Sequence, residues 1–239
     1  MDGFSYINIF ETKGIEYLAI IAFLLLLIPF WTLLNKKAKI SAQIRKVAGN
    51  LSDNISKLPQ GLFFSRNHTW TYLEKSGAAK VGLDNLLTHI TGEVKLQFLK
   101  GPDDIINKGE SLAEINQNGK FLRIISPVSG KVLQTNALLD ESPDILHDDP
   151  YGKGWLCQIK PEKWVEETTT YFLAEEAIKW SKNELERIKD FLASSSVKYS
   201  PAPSMIILQE GGELSGNVLS EMPGEVWQDF QNEFLNHTF

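Results

Sequence analysis

The sequence predicts a small, mainly β domain that follows one membrane-spanning helix and precedes an α-rich extension. Three observations support this architecture: an uncharged apolar run near the start, short alternating segments separated by glycines in the middle, and helical periodicity near the end. The length of 239 residues accommodates one domain of ordinary size with appended segments. We expect five segments, with bounds 1–14, 15–35, 36–60, 61–164 and 165–239.

The composition excludes several classes of function. The net charge is −6, without the clustered Lys and Arg that a nucleic-acid surface requires, so we expect no nucleic-acid partner. Cys157 is the single cysteine, and the histidines lack the spacing of a metal site, so we expect no disulfide and no metal. Without a nucleophile motif or an evident small-molecule site, the chain is predicted not to be an enzyme.

The predicted membrane span is residues 15–35. The apolar run from Tyr17 to Leu34 contains no charged residue and, as a helix, is about 27 Å long, close to the hydrocarbon thickness of a bilayer. A cleaved signal peptide is the competing interpretation, but Asp2 and Glu11 precede the run in place of a basic segment. We therefore expect a retained helix preceded by a short segment, residues 1–14.

The residues after the span predict its orientation. Basic residues dominate until Asp53: Lys36, Lys37, Lys39, Arg45 and Lys46. The positive-inside bias then places the N-terminus outside and the main domain in the cytoplasm, in a single-pass protein of the cytoplasmic (inner) membrane. Residues 36–60 form a basic juxtamembrane linker, which lies either along the lipid headgroups or against the next domain; both interpretations stay open.

Residues 61–164 have the pattern of a β domain. Val94, Leu96 and Phe98 alternate with polar residues and so offer one buried face. Glycine-containing turns follow at regular intervals. Asn118-Gly119 is the strongest hairpin signal, because both central residues of a type I′ turn need positive φ.

Six segments in this region resemble the glycine cleavage system H protein. They are NHTW (67–70), KVGLDNL (80–86), TGEVKLQFL (91–99), INKGESLAEI (106–115), SPVSGKVLQTNALL (126–139) and SPDILHDDPYGKGWLCQIKP (142–161). The last two are the most specific, and their order and spacing follow the family. The resemblance implies a lipoyl-type hammerhead, in which two small antiparallel sheets form a flattened barrel-sandwich.

The resemblance also implies one functional lysine, which carries a swinging lipoyl arm at the tip of a β-hairpin. In the family pattern this lysine lies ten residues after the glycine of a KG pair and seven before the serine of SPVSG. Counting forward from Gly109 and backward from Ser126 leads in both cases to Gly119. Asn116 replaces the glutamate expected three residues earlier. Gly119 is therefore a degenerate lipoyl position, and no cofactor is expected.

Lys120 offers an alternative. A membrane-tethered lipoyl carrier modified at this neighbouring lysine would still need lipoate. However, a shift of one residue in a strand turns the side chain to the other face of the sheet. We favour Asn118-Gly119 as an ordinary turn and Lys120 as a solvated strand residue that protects a sheet edge.

The extension, residues 165–239, leaves the family pattern. Thr168 to Thr170 are expected to cap a helix whose apolar stripe is Ala174, Ala177, Ile178, Leu185, Ile188 and Leu192. A short strand is predicted at 205–208, a turn at 211–212 and a second helix at 225–235. Its Trp227, Phe230 and Phe234 either dock on the β domain, which we favour, or form a partner-docking surface.

These features together predict a non-catalytic, non-lipoylated accessory subunit of a membrane-bound complex. Its expected partners are the membrane and other subunits, without nucleic acid or a small-molecule substrate. A respiratory or electron-transfer complex is the favoured kind.

Overall fold

The computed structural model describes residues 17–18, 20–30, 55, 58–199, 214 and 216–236. The chain divides into two compact units, Met1–Lys46 and Val47–Phe239. In the first unit, residues 17–18 and 20–30 are helical, and their large apolar side chains are exposed. The rest of the predicted span, residues 15–16, 19 and 31–35, lies outside the described residues. No helix in the part of the chain that the structure describes combines the length and apolar character needed to cross a membrane.

Within the described residues, the second unit contains nine strands. These are β1 (Phe63–Phe64), β2 (Thr69–Leu73), β3 (Ala79–Leu83), β4 (Lys95–Phe98), β5 (Ile105–Ile106), β6 (Ser111–Gln117), β7 (Lys120–Ile125), β8 (Gly130–Thr135) and β9 (Trp155–Pro161). They form a six-stranded sheet with the order β1-β2-β3-β9-β8-β5 and a three-stranded sheet with the order β4-β6-β7. All pairings are antiparallel, which confirms the predicted mainly β domain.

Helices connect and follow the strands. These are α1 (Asn85–Thr91), α2 (Leu138–Glu141), α3 (Ile145–Asp148), α4 (Trp164–Thr168), α5 (Ala174–Tyr199), a 3₁₀ helix (Val218–Glu221), α6 (Gly224–Phe230) and a π-helix (Gln231–Leu235). Helix α1 is capped by Asp84, whose Oδ1 accepts a hydrogen bond of 2.9 Å from the Leu87 amide. The strand predicted at 205–208 and the turn at 211–212 lie outside the described residues, as does most of the linker at 36–60.

The long helix α5 agrees with the predicted periodicity but does not begin as predicted. Ala177, Leu185, Ile188 and Leu192 of the apolar stripe are buried, as a core-facing helix requires. Thr168 and Thr169, however, belong to the end of α4. Their hydroxyls donate to the carbonyls of Trp164 and Val165, at 2.7 Å each. The threonines therefore bond backward to α4, and the prediction that they cap α5 was wrong.

One apolar core joins both sheets and the extension. It contains Val81 and Ile159 from the larger sheet, and Ile115 and Leu122 from the smaller one. Helix α1 adds three buried side chains, and the extension completes the cluster with Leu185, Ile188, Leu192, Val218, Leu219, Met222, Val226, Trp227, Phe230, Phe234 and Leu235. Because these side chains share one core, residues 174–199 and 216–236 belong to the same folded unit as the strands, which we call the β unit.

Candidate functional site

The hairpin between β6 and β7 carries the position singled out by the sequence. Gln117 pairs with Lys120, and the two residues between them have φ of 52° at Asn118 and 79° at Gly119. Positive φ at both central positions is the geometry of a type I′ turn and explains the Asn-Gly pair. The tip is exposed, and a side chain at Gly119 would meet no atom within 4 Å.

Lys120 points away from this open tip. Its Nζ donates to the carbonyl oxygens of Ser220, at 2.5 Å, and Met222, at 2.9 Å. The ammonium also lies 5.3 Å from the ring centroid of Trp227, which adds a cation–π contact. Burial lowers the pKa of Lys120. The prediction that Lys120 is a solvated strand residue is therefore corrected, because its amine bonds to the extension and is partly buried.

A shallow groove of about 500 Å³ separates the hairpin from α6. Its walls are glycine backbone, aromatic rings and long polar side chains, contributed by Gly119, Lys120, Phe121, Gly224, Glu225, Trp227 and Gln228. The hairpin tip and the extension thus form one continuous surface at this end of the β unit.

The extension also contacts one edge of the smaller sheet. Strand β7 is an edge strand, and the side-chain amide of Gln231 bonds to both backbone groups of Arg123. The Arg123 amide donates to Gln231 Oε1 at 2.7 Å, and Gln231 Nε2 donates to the Arg123 carbonyl at 3.2 Å. This amide takes the place of a neighbouring strand and protects the edge from another chain. Sequence patterns did not indicate this role, since Gln231 lies 108 residues from Arg123.

The three aromatic residues proposed for partner docking are buried. Trp227, Phe230 and Phe234 are at most 1% exposed. The Trp227 indole donates to the Leu219 carbonyl at 2.8 Å, and the Phe230 and Phe234 rings stack with centroids 4.7 Å apart. Their contacts lie within this chain's own core, so they offer no exposed surface to a partner.

Other polar clusters have structural roles. The SPVSG turn is held by Glu167, whose carboxylate accepts from the Ser129 hydroxyl at 2.5 Å and from the Ser129 amide at 2.7 Å. Asp149 accepts from the backbone amides of Gly152, at 3.0 Å, and Lys153, at 2.9 Å, and so shapes the loop before β9. Among the residues that the structure describes, no group of three or more His, Cys, Asp or Glu side chains could hold a metal ion.

Comparison with known proteins places the β unit in a family. Residues 62–184, just over half of the chain, match the family described as glycine cleavage H-protein. The chain is 34% identical over 104 residues to the glycine cleavage system H protein of Coprothermobacter proteolyticus, which covers 44% of this chain and 82% of that protein. It is 30% identical over 124 residues to the probable glycine cleavage system H protein of Thermococcus gammatolerans, which covers 52% of this chain and 92% of that protein.

A solved structure is similar over about half of the chain. The crystal structure of a glycine cleavage system H protein from Mycobacterium marinum is 22% identical and covers 52% of this chain and 99% of that chain, with a TM-score of 0.44. The match over residues 62–184 runs from β1 into α5 and includes the hairpin. The chain belongs to the glycine cleavage H-protein family.

Proposed function

We propose that this chain is an H-protein family member that does not carry lipoate and serves as an accessory subunit of a membrane-bound complex. The hairpin tip supports the first part of this proposal, that the chain does not carry lipoate. The position reached by both residue counts is Gly119, which has no amine, and the amine of Lys120 bonds to two carbonyl oxygens. A lipoyl amide requires a lysine amine that a ligase can reach, so the residues present do not fit the group.

The arrangement of Lys120 also argues against the carrier alternative. A lipoyl arm on Lys120 would neutralise the ammonium and remove its bonds to Ser220 and Met222. It would also need space where the Trp227 ring and the 3₁₀ helix now lie. The extension therefore stabilises the unmodified lysine.

The mass of the intact protein tests this proposal. We expect the full chain, purified from cells with working lipoate ligation, to have the mass of the unmodified sequence. A lysine-containing H protein produced in the same cells is the positive control, and its mass should be higher by one lipoyl amide. An equal increase in this chain, mapped to Lys120, would establish the carrier alternative instead.

The membrane part of the proposal is supported by the uncharged run from Tyr17 to Leu34 and the basic residues after it. We place the β unit on the cytoplasmic side of the inner membrane, with a respiratory or electron-transfer complex as the assembly. Solubilisation in mild detergent and affinity purification should recover other membrane proteins in fixed ratio. Recovery of a lone monomer, or of the chain in the soluble fraction, would contradict this part.

A further inference from the structure

His68 is a buried imidazole between two buried carboxylates. It precedes β2, and its side chain is fully buried. Nδ1 lies 2.8 Å from Oδ2 of Asp84, and Nε2 lies 3.7 Å from Oε1 of Glu184. The side chains of Asp84 and Glu184 are 3% and 4% exposed. Both carboxylates are removed from water, and the imidazolium of His68 lies between them as a shared positive charge.

The charges around His68 alternate in sign across four segments of the chain. Asp84 comes from the N-terminus of α1, and Glu184 comes from α5. Arg187, one turn further along α5, donates to both oxygens of Glu184 at 2.8 Å. Its Nη2 lies 3.9 Å from Glu233 of the π-helix. Tyr151, which also lies near Asp84, adds no charge to this group. Burial and the Asp84 carboxylate raise the pKa of its hydroxyl well above the usual range, so the hydroxyl stays neutral.

Aromatic rings of the extension enclose the same imidazole. The ring centroids of Trp180, Phe230 and Phe234 lie 5.7, 6.4 and 6.2 Å from that of His68. His68 and Asp84 belong to the β domain, while Glu184 and the three rings belong to the extension. The imidazole is therefore a point at which the two parts are joined.

We propose that His68, Asp84 and Glu184 form a proton-dependent clasp that fastens the C-terminal extension to the β domain. When the imidazole loses its proton, Asp84 and Glu184 face each other across a neutral ring, and the attachment of α5, α6 and the π-helix weakens. The same extension holds the amine of Lys120 through two hydrogen bonds, so a weaker clasp makes this amine more reactive. The clasp does not depend on whether the chain carries lipoate.

The electrostatics of His68 and Glu184 set the pH range in which the clasp is stable. Burial by itself would lower the pKa of His68, but the hydrogen-bonded Asp84 carboxylate and the nearby Glu184 carboxylate raise it from 6.5 to about 9. For Glu184, burial alone would raise the pKa, but His68 and Arg187 hold it below its usual range. Since the folded pKa of His68 exceeds the unfolded one, the clasp contributes fully below about pH 6.5 and is lost as pH rises through about 9.

The test uses the full chain in mild detergent and two variants, His68→Gln and Glu184→Gln. Nuclear magnetic resonance of the imidazoles follows the His68 signal, which His68→Gln identifies by its disappearance. We expect a titration midpoint near pH 9 in the unchanged protein and a lower midpoint in Glu184→Gln. A midpoint at or below 6.5 in the unchanged protein overturns the proposal.

A second measurement reports on the attachment of the extension. Brief acetylation with an N-hydroxysuccinimide ester at one fixed pH, followed by peptide mass spectrometry, gives the reactivity of Lys120 relative to exposed Lys95. We expect this ratio to increase several-fold in both variants. If His68→Gln does not fold, Glu184→Gln supplies the comparison. If His68 titrates near pH 9 but the ratio of Lys120 to Lys95 acetylation is the same in the variants, the charged imidazole does not fasten the extension. That result overturns the proposed clasp.

Discussion

The side chain of Lys120 leaves β7 toward the extension and ends against two carbonyl oxygens and an indole ring. In the family pattern, position 119 next to it holds the lysine whose amine must stay accessible. Here Gly119 satisfies the turn, and the adjacent amine supports the packing of residues about a hundred positions away. This hairpin is therefore a site of attachment between the smaller sheet and the extension.

Removing the Lys120 ammonium should destabilise the protein. Lys120→Met keeps an apolar stem near Trp227 but leaves the carbonyls of Ser220 and Met222 without their donor. Because the site is partly open to water, we expect a loss of about 1–2 kcal/mol in the free energy of unfolding. Denaturant-induced unfolding of the full chain measures it. Lys95→Met, at an exposed position of β4, is the matched control and should change stability by less than about 0.5 kcal/mol. Equal losses in the two variants would contradict the role of Lys120.

At the scale of elements, β2 and β3 depend on a close contact between a glycine and a tryptophan. Trp70 and Gly82 lie directly opposite each other in the ladder. A Cβ on Gly82 would lie 2.4 Å from Cζ2 of Trp70. The indole cannot move freely, since it is 2% exposed and its Nε1 donates to the Pro150 carbonyl at 3.1 Å. The missing side chain is thus a packing requirement.

Gly82→Ala should therefore weaken the larger sheet. We expect the free energy of unfolding to fall by about 1–3 kcal/mol, the usual cost of overpacking a rigid core. Thermal unfolding followed by circular dichroism provides the measurement. Gly224→Ala is the matched control, because a Cβ at the start of α6 meets no atom within 4 Å. A midpoint lowered equally by both substitutions would mean that the contact with Trp70 is not the cause.

At the scale of the whole molecule, the family match ends inside a continuous core. Residues 62–184 match the family, whereas Ile188, Leu192, Trp227 and Phe230 complete the same apolar cluster as the strands. A chain that stopped at the end of the match would expose the inner faces of β7 and α1 to water.

Truncation after residue 184 should accordingly remove cooperative folding. We expect the shortened chain to lose its sharp thermal transition and to aggregate, because large buried side chains are deleted together. Removing only residues 237–239 is the control and should leave the transition midpoint unchanged. A chain ending at residue 184 that unfolds with the original midpoint would show that the extension is not part of the core.

Much of this architecture follows from local sequence signals. Three features could be predicted because each depends on residues within one turn, one strand or one helix. They are the positive φ at Asn118 and Gly119, the alternation in β4 and the apolar stripe of α5. The start of α5 could not, because a threonine hydroxyl can bond backward or forward and the sequence does not distinguish the two.

By itself, the sequence determined the mainly β class, the family resemblance and the glycine at the expected lipoyl position. Only the tertiary structure decided that the amine of Lys120 bonds to the extension, that Gln231 protects the β7 edge, and that His68 lies between Asp84 and Glu184. The physical reason is separation along the chain. Turn geometry and periodicity depend on neighbouring residues, whereas these contacts join groups 16 to 116 residues apart. In addition, the two groups that bind Lys120 are backbone carbonyls, which any residue could supply.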